Sequence, residues 1–194
     1  MKRHLILALA GVSLLACYKE QPDTGNSQME TFPFVAVGHE SRYVTTFDGT
    51  VLDTSSTLKI TSEANDRYQM VLQAAGITQP STLYTDGTWL YEYGLQGSEL
   101  DASKVYKKDP AIGDTWQEII ENDTVVNVVS QVDVEVTVPA GTFVVDVVAS
   151  AEIGTTDSSY VYINENDGIV KQQLQVPGFS YCSNCTRKTS NYLV

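Results

Sequence analysis

The chain has 194 residues, with 12 Lys and Arg against 24 Asp and Glu and a net charge of −12. That balance excludes a nucleic-acid reader, which needs a basic patch or stripe, and gives the body no attraction to anionic lipid. The length fits a leader plus one domain large enough to bury a core.

The first element is a leader. Met1 to His4 is basic, and Leu5 to Leu15 is apolar but too short to span a bilayer as a stable helix. A helix packed on little else is expected over Met1–Ala16. Leu14-Leu15-Ala16-Cys17 resembles the bacterial lipobox. The resemblance implies diacylglyceryl transfer to Cys17 and cleavage before it; an ordinary signal peptide with an incidental Cys17 is the plainer reading. Two acyl chains anchor a protein stably, at about 0.8 kcal/mol per buried CH₂. Loss of Lys2 and Arg3, with no acidic residue before Cys17, takes the charge from −12 to −14. The expected segments are therefore 1–16 signal, 17–30 lipidated cysteine and flexible tether, and 31–194 the folded domain. The expected partner through Cys17 is a membrane. Tyr18 stands where inner-membrane retention in enteric bacteria uses Asp, which points to the outer membrane of a bacterial envelope.

The body is rich in Val, Thr and Tyr, which suit strands. Strands are expected at about 34–47, 51–62, 67–75, 81–85, 88–93, 115–121, 126–138, 142–151, 158–164, 169–175 and 187–193. Asp48-Gly49, Asp86-Gly87 and Asp167-Gly168 read as two-residue hairpin turns. The stretch Asn65 to Gly76 is read as strand over short helix, and 94–114 as a loop with at most one helical turn. In Val126 to Val138 the even-numbered valines predict one buried face, with Asn127, Gln131, Asp133 and Glu135 wet. In Pro139-Ala140-Gly141, Pro139 presets the bend and Gly141 can end a three-residue loop in the left-handed region. The fold class expected is all-β: about eleven strands in one large curved antiparallel sheet, a half-barrel or barrel, with little helix.

Candidate chemistry is sparse. Cys182 and Cys185 in an oxidising envelope read first as a disulfide, then as a redox pair, and last as metal ligands. His39 lacks a nucleophile elbow and reads as a surface residue on the first strand. Asp109, Asp114, Glu118, Glu121, Asp123, Asp133 and Glu135 supply carboxylates, but Asp133 and Glu135 fall on the wet face. Asn164 to Gly168 faintly matches a calcium loop, yet Leu174 stands where the closing Glu belongs, so a hairpin fits better. Trp89, Tyr91, Tyr93, Tyr160 and Tyr162 either line a ligand groove or pack across strands. No metal site and no cofactor is expected.

"GDTW" at 113–116, "VTVPAGTFVV" at 136–145 and "DGIVKQQ" at 167–173, in that order, resemble a family of bacterial envelope proteins of unknown function. The resemblance covers roughly the C-terminal half. It implies a curved sheet similar to the half-barrels of periplasmic lipid carriers, with an apolar groove and no known chemistry. "YCSNCTRK" at 181–188 departs from that pattern. Two functions follow as expectations: a non-enzymatic, membrane-anchored module binding an apolar ligand or an envelope protein, or a thiol–disulfide protein using Cys182 and Cys185.

Overall fold

The computed structural model describes residues 32–94, 97, 102–120 and 123–190. Met1–Ala16, Cys17 and the tether lie outside them, as does Glu121. The described residues hold twelve strands and no helix. The first six are β1 (His39–Phe47), β2 (Thr50–Ala64), β3 (Arg67–Ala74), β4 (Ile77–Thr85), β5 (Trp89–Gly94) and β6 (Ser103–Lys107). The second six are β7 (Thr115–Ile120), β8 (Asp123–Val138), β9 (Gly141–Glu152), β10 (Ser158–Asn164), β11 (Gly168–Val176) and β12 (Phe179–Ser190). They form one antiparallel sheet in the order β6-β5-β4-β3-β2-β1-β12-β11-β10-β9-β8-β7.

Every neighbour in that order is also a neighbour in sequence, except that β1 pairs with β12. The sheet is thus two six-stranded meanders sewn together by the first and last strands. It curls until the edge strands β6 and β7 face each other, nearly closing a barrel. The seam between them has no strand ladder. Instead the Trp116 indole N–H donates to the Lys104 carbonyl at 3.0 Å, Trp89 meets Trp116 edge-on at 5.2 Å, and Lys107 pairs with Asp114 at 2.6 Å. Closure leaves only these two edges to protect, and side chains cover both.

Alternating strand directions place the β2–β3, β4–β5, β6–β7, β8–β9 and β10–β11 turns at one end of the barrel, with the start of β1. The β1–β2, β3–β4, β5–β6, β7–β8, β9–β10 and β11–β12 turns lie at the opposite end. The first end is filled. Tyr43, Leu58, Ile60, Tyr68, Met70, Leu83, Leu90 and Tyr106 point inward and are fully or almost fully buried. Phe32 and Phe34, both 0% exposed, enter from the segment before β1, and the Phe32 ring packs on Tyr106. A strand from residue 34 was expected; instead residues 32–38 fold through turns, with Val35 N–H bonded to the Phe32 carbonyl and Gly38 N–H to that of Ile60.

Other boundaries also differ. The 94–114 region contains β6, short and paired to one neighbour, which explains its weak alternation. The last strand begins at Phe179 rather than 187 and carries both cysteines. Asn65–Gly76 holds β3, as the strand reading expected. Asp48 and Gly49 both have positive φ, as a type I′ hairpin requires. The other two Asp-Gly pairs sit in longer turns. Asp86 accepts from the Thr88 and Trp89 N–H groups. Asn164 caps the β10–β11 turn by accepting from Asn166 and Asp167.

The β8–β9 hairpin corrects two expectations. Its turn is Pro139-Ala140 alone, because Val138 already pairs with Gly141. Gly141 sits in the ladder at φ 140°, not in the left-handed well. The even-numbered valines do face inward from Val132 to Val138, opposite exposed Asp133, Glu135 and Thr137. Before that the faces are reversed, with Asn127 and Val129 buried. Register shifts at Val129/Gln131 and Gln131/Val134, with Asp133 at φ 54°, bend and twist the strand between its two halves. The tip then reaches β12, where the Ala140 N–H donates to the Cys185 carbonyl.

Candidate functional site

At the end opposite the aromatic plug the barrel is not filled. A cavity of about 210 Å³ lies inside the seam, bounded by β5 to β11. Its apolar wall includes Trp116, Val125, Val148, Val161, Ile169 and Leu174. Small inward residues leave the space. Ser103, Ser150 and Ser159 occupy positions that Tyr and Met fill at the other end.

Two carboxyl groups share the cavity. Glu92 projects from β5 beyond Leu90, and Glu118 from β7 beyond Trp116. Burial pushes the Glu92 carboxyl up to about 7, against a lowering hydrogen bond from Ser81, and the Glu118 charge raises it further. Burial also raises Glu118, opposed by hydrogen bonds from Trp116 and Ser103. The Trp116 indole N–H is 3.3 Å from Glu118 Oε1, so the seam residue also orients the carboxylate. Lys104 lines the cavity too, but its ammonium lies 4.4 Å from the Trp89 ring centroid.

Two amides complete the wall. Asn127 is 7% exposed and Gln172 6%. The Asn127 carbonyl oxygen accepts from Ser150 at 2.6 Å. Its Nδ2 and the Nε2 of Gln172 have no hydrogen-bond partner. Leaving a buried donor unmade costs about 1–3 kcal/mol, so both groups call for an acceptor.

A second buried polar cluster involves Tyr106 of the plug. The Tyr106 hydroxyl donates to Asp146 Oδ2, and the Asp133 backbone N–H donates to Oδ1 of the same carboxylate at 3.0 Å. Burial and the neighbouring carboxylate hold the Tyr106 hydroxyl far above the usual phenol range. Both Asp146 oxygens are engaged, which is a structural arrangement.

The residues singled out from the sequence fall elsewhere or change role. Cys182 and Cys185 are both thiols, not a disulfide. They stand three residues apart on one strand, which puts their side chains on opposite faces and their Cα atoms about 10 Å apart. A disulfide needs Cα atoms within about 7 Å, so β12 as folded can neither form the bond nor cycle it. His39 is buried, not a surface residue; its Nε2 lies 3.3 Å from the Ser41 hydroxyl. Pro139, Ala140 and Gly141 form the hairpin tip, remote from the cavity. Asp133 and Glu135 are exposed, as expected. The outer aromatics pack across strands: Tyr84 stacks on Tyr91 at 4.8 Å, and Tyr162 donates to Gln173. No group of three or more His, Cys, Asp or Glu placed to hold a metal occurs among the described residues.

Glu92 was missed for a physical reason. In Trp89-Leu90-Tyr91-Glu92-Tyr93 the aromatic parity reads as the buried face, but Leu90 and Glu92 point inward. The pairing of large outward aromatics with an inward acid inverts the usual signal.

No family model matches the chain. No curated protein matches it either. Among solved structures, the chain is similar to a Bacteroides fragilis NCTC 9343 protein inferred to be exported, described as having a YmcC-like fold. The TM-score is 0.54 at 14% identity, covering 79% of this chain and 96% of that one. That likeness extends to the fold alone.

Proposed function

We propose that this chain is a bacterial envelope lipoprotein whose barrel is a non-catalytic binding module. Its ligand is a small, partly apolar molecule held in the cavity at the seam. The observation that carries the reading is the pair of unpartnered amide donors, Asn127 Nδ2 and Gln172 Nε2, buried in an otherwise largely apolar wall. The volume limits the ligand. A dry apolar cavity of about 150 Å³ holds one benzene, and pockets for drug-sized ligands start near 300 Å³. At about 210 Å³ the cavity takes a molecule somewhat larger than benzene and no intact two-chain lipid. Envelope location is supported by the leader, by Cys17 in its lipobox-like setting, by the ordered C-terminal motifs and by the export inferred for the fold neighbour.

Native mass spectrometry of the mature chain, isolated from a bacterium that processes its leader, tests the reading. A bound adduct of small-molecule mass is expected, and it should be lost in Asn127→Leu combined with Gln172→Leu. A barrel that carries no adduct, and whose Tm moves with no member of a fragment library, would refute it.

A further inference from the structure

The charges around the cavity are unbalanced. Glu92 and Glu118 line its interior, and Glu152 and Asp157 line the end formed by the β9–β10 turn. Lys104 stands against these four, and its ammonium is engaged with the Trp89 ring. The ion pairs found among the described residues, at Glu40 and Asp114, involve none of the four acids. The amides that lack partners are donors, so they meet an acceptor and leave the carboxylates for a cation.

From this arrangement we infer that the cavity selects a small organic ammonium: its cationic nitrogen lies between Glu92 and Glu118, its apolar body against Trp116, Val148 and Val161, and a hydrogen-bond acceptor faces Asn127 and Gln172. The inference rests on the binding role proposed above and names the class of ligand. A carboxylate pair of like charge costs less when a cation sits between its members. The aromatic face of Trp116 and the aliphatic wall accept the remainder of such a molecule by burial. Water stays excluded in proportion to the fit, which strengthens the charge pairing.

Benzylamine and benzyl alcohol make a matched pair of probes, alike in shape and different in charge. Calorimetric titration of the mature full chain at about pH 8 should show the amine bound at least about tenfold more tightly, as charge-assisted hydrogen bonds allow. Glu92→Gln and Glu118→Gln should each reduce that ratio. Side-chain amide NMR signals of Asn127 and Gln172 should shift with either probe and locate the binding. Alcohol binding equal to or tighter than the amine, with those signals moving, would overturn the ammonium assignment and leave the binding role standing. No shift with either probe, and no adduct on the isolated protein, would overturn both.

Discussion

Replacing Glu92 with Gln should stabilise the barrel at neutral and alkaline pH and leave its acid stability nearly unchanged. Glu92 is an acid whose folded value is raised from an ordinary 4.5 to about 7, first by burial and then by the Glu118 charge. Between those values the folded chain holds a proton that the unfolded chain has released. Stability therefore falls as pH rises through this window. Below about 4.5 both states are protonated and Glu92 costs nothing. Above about 7 the folded state carries the full cost of a buried carboxylate. The gap corresponds to about 3 kcal/mol, reduced to about half of that where cavity water solvates the carboxylate. Urea melts at pH 4, 6 and 8, followed by the fluorescence of Trp89 and Trp116, measure the difference directly. Glu118 titrates in both proteins, so most of its contribution cancels. The Gln variant should gain about 1.5–3 kcal/mol at pH 8, less at pH 6, and about zero at pH 4. A difference that is constant across pH, or that grows on acidification, would refute the burial argument.

Three further outcomes follow from the described contacts. Tyr106→Phe removes a donor to the buried Asp146 carboxylate and should lower unfolding free energy by about 1.5–3 kcal/mol in urea melts, the range for hydrogen bonds to charged groups. Trp116→Phe takes away the indole N–H that bridges the seam to Lys104; hydrogen exchange should speed up in β6 and β7 while β1 and β12 keep their protection, and uniform loss of protection would contradict a local seam. Cys182 is half-buried and Cys185 fully buried on the opposite face of β12; a thiol reagent should label Cys182 first in the native protein and both in urea, whereas no labelling in urea without reductant would show a disulfide after all.

Much of the architecture was legible because period-2 alternation reports which strands exist. The strands from β1 to β5 and from β7 to β11 follow from it, and the all-β curved sheet follows from them. Alternation does not report where a strand bends. At Val129 to Val134 two register shifts separate two buried faces, and the valine pattern ran straight through them. The inner face of β5 was hidden because Trp89, Tyr91 and Tyr93 form a large aromatic row on the outer parity, while the inner parity pairs Leu90 with the acid Glu92. The cysteines misled because their spacing is informative only in a turn or at a helix start, and β12 continues through them. The cavity depends on seven strands meeting, and no local pattern contains that. A weak trace existed in the inward serines 103, 150 and 159, which mark where the barrel lacks bulk.

The ladder between β1 and β12 decides the order in which this protein can be completed. During synthesis β1 emerges early, yet its second neighbour is the last strand made. Until then the chain consists of two partial meanders, each with a bare edge and an uncovered apolar face. Such intermediates are slow to close and prone to join edges with other chains. The barrel cannot close around Tyr43 and Ser183 while residues 179–190 are still to come. A truncation that removes β12 should leave eleven strands in two unjoined meanders and no barrel.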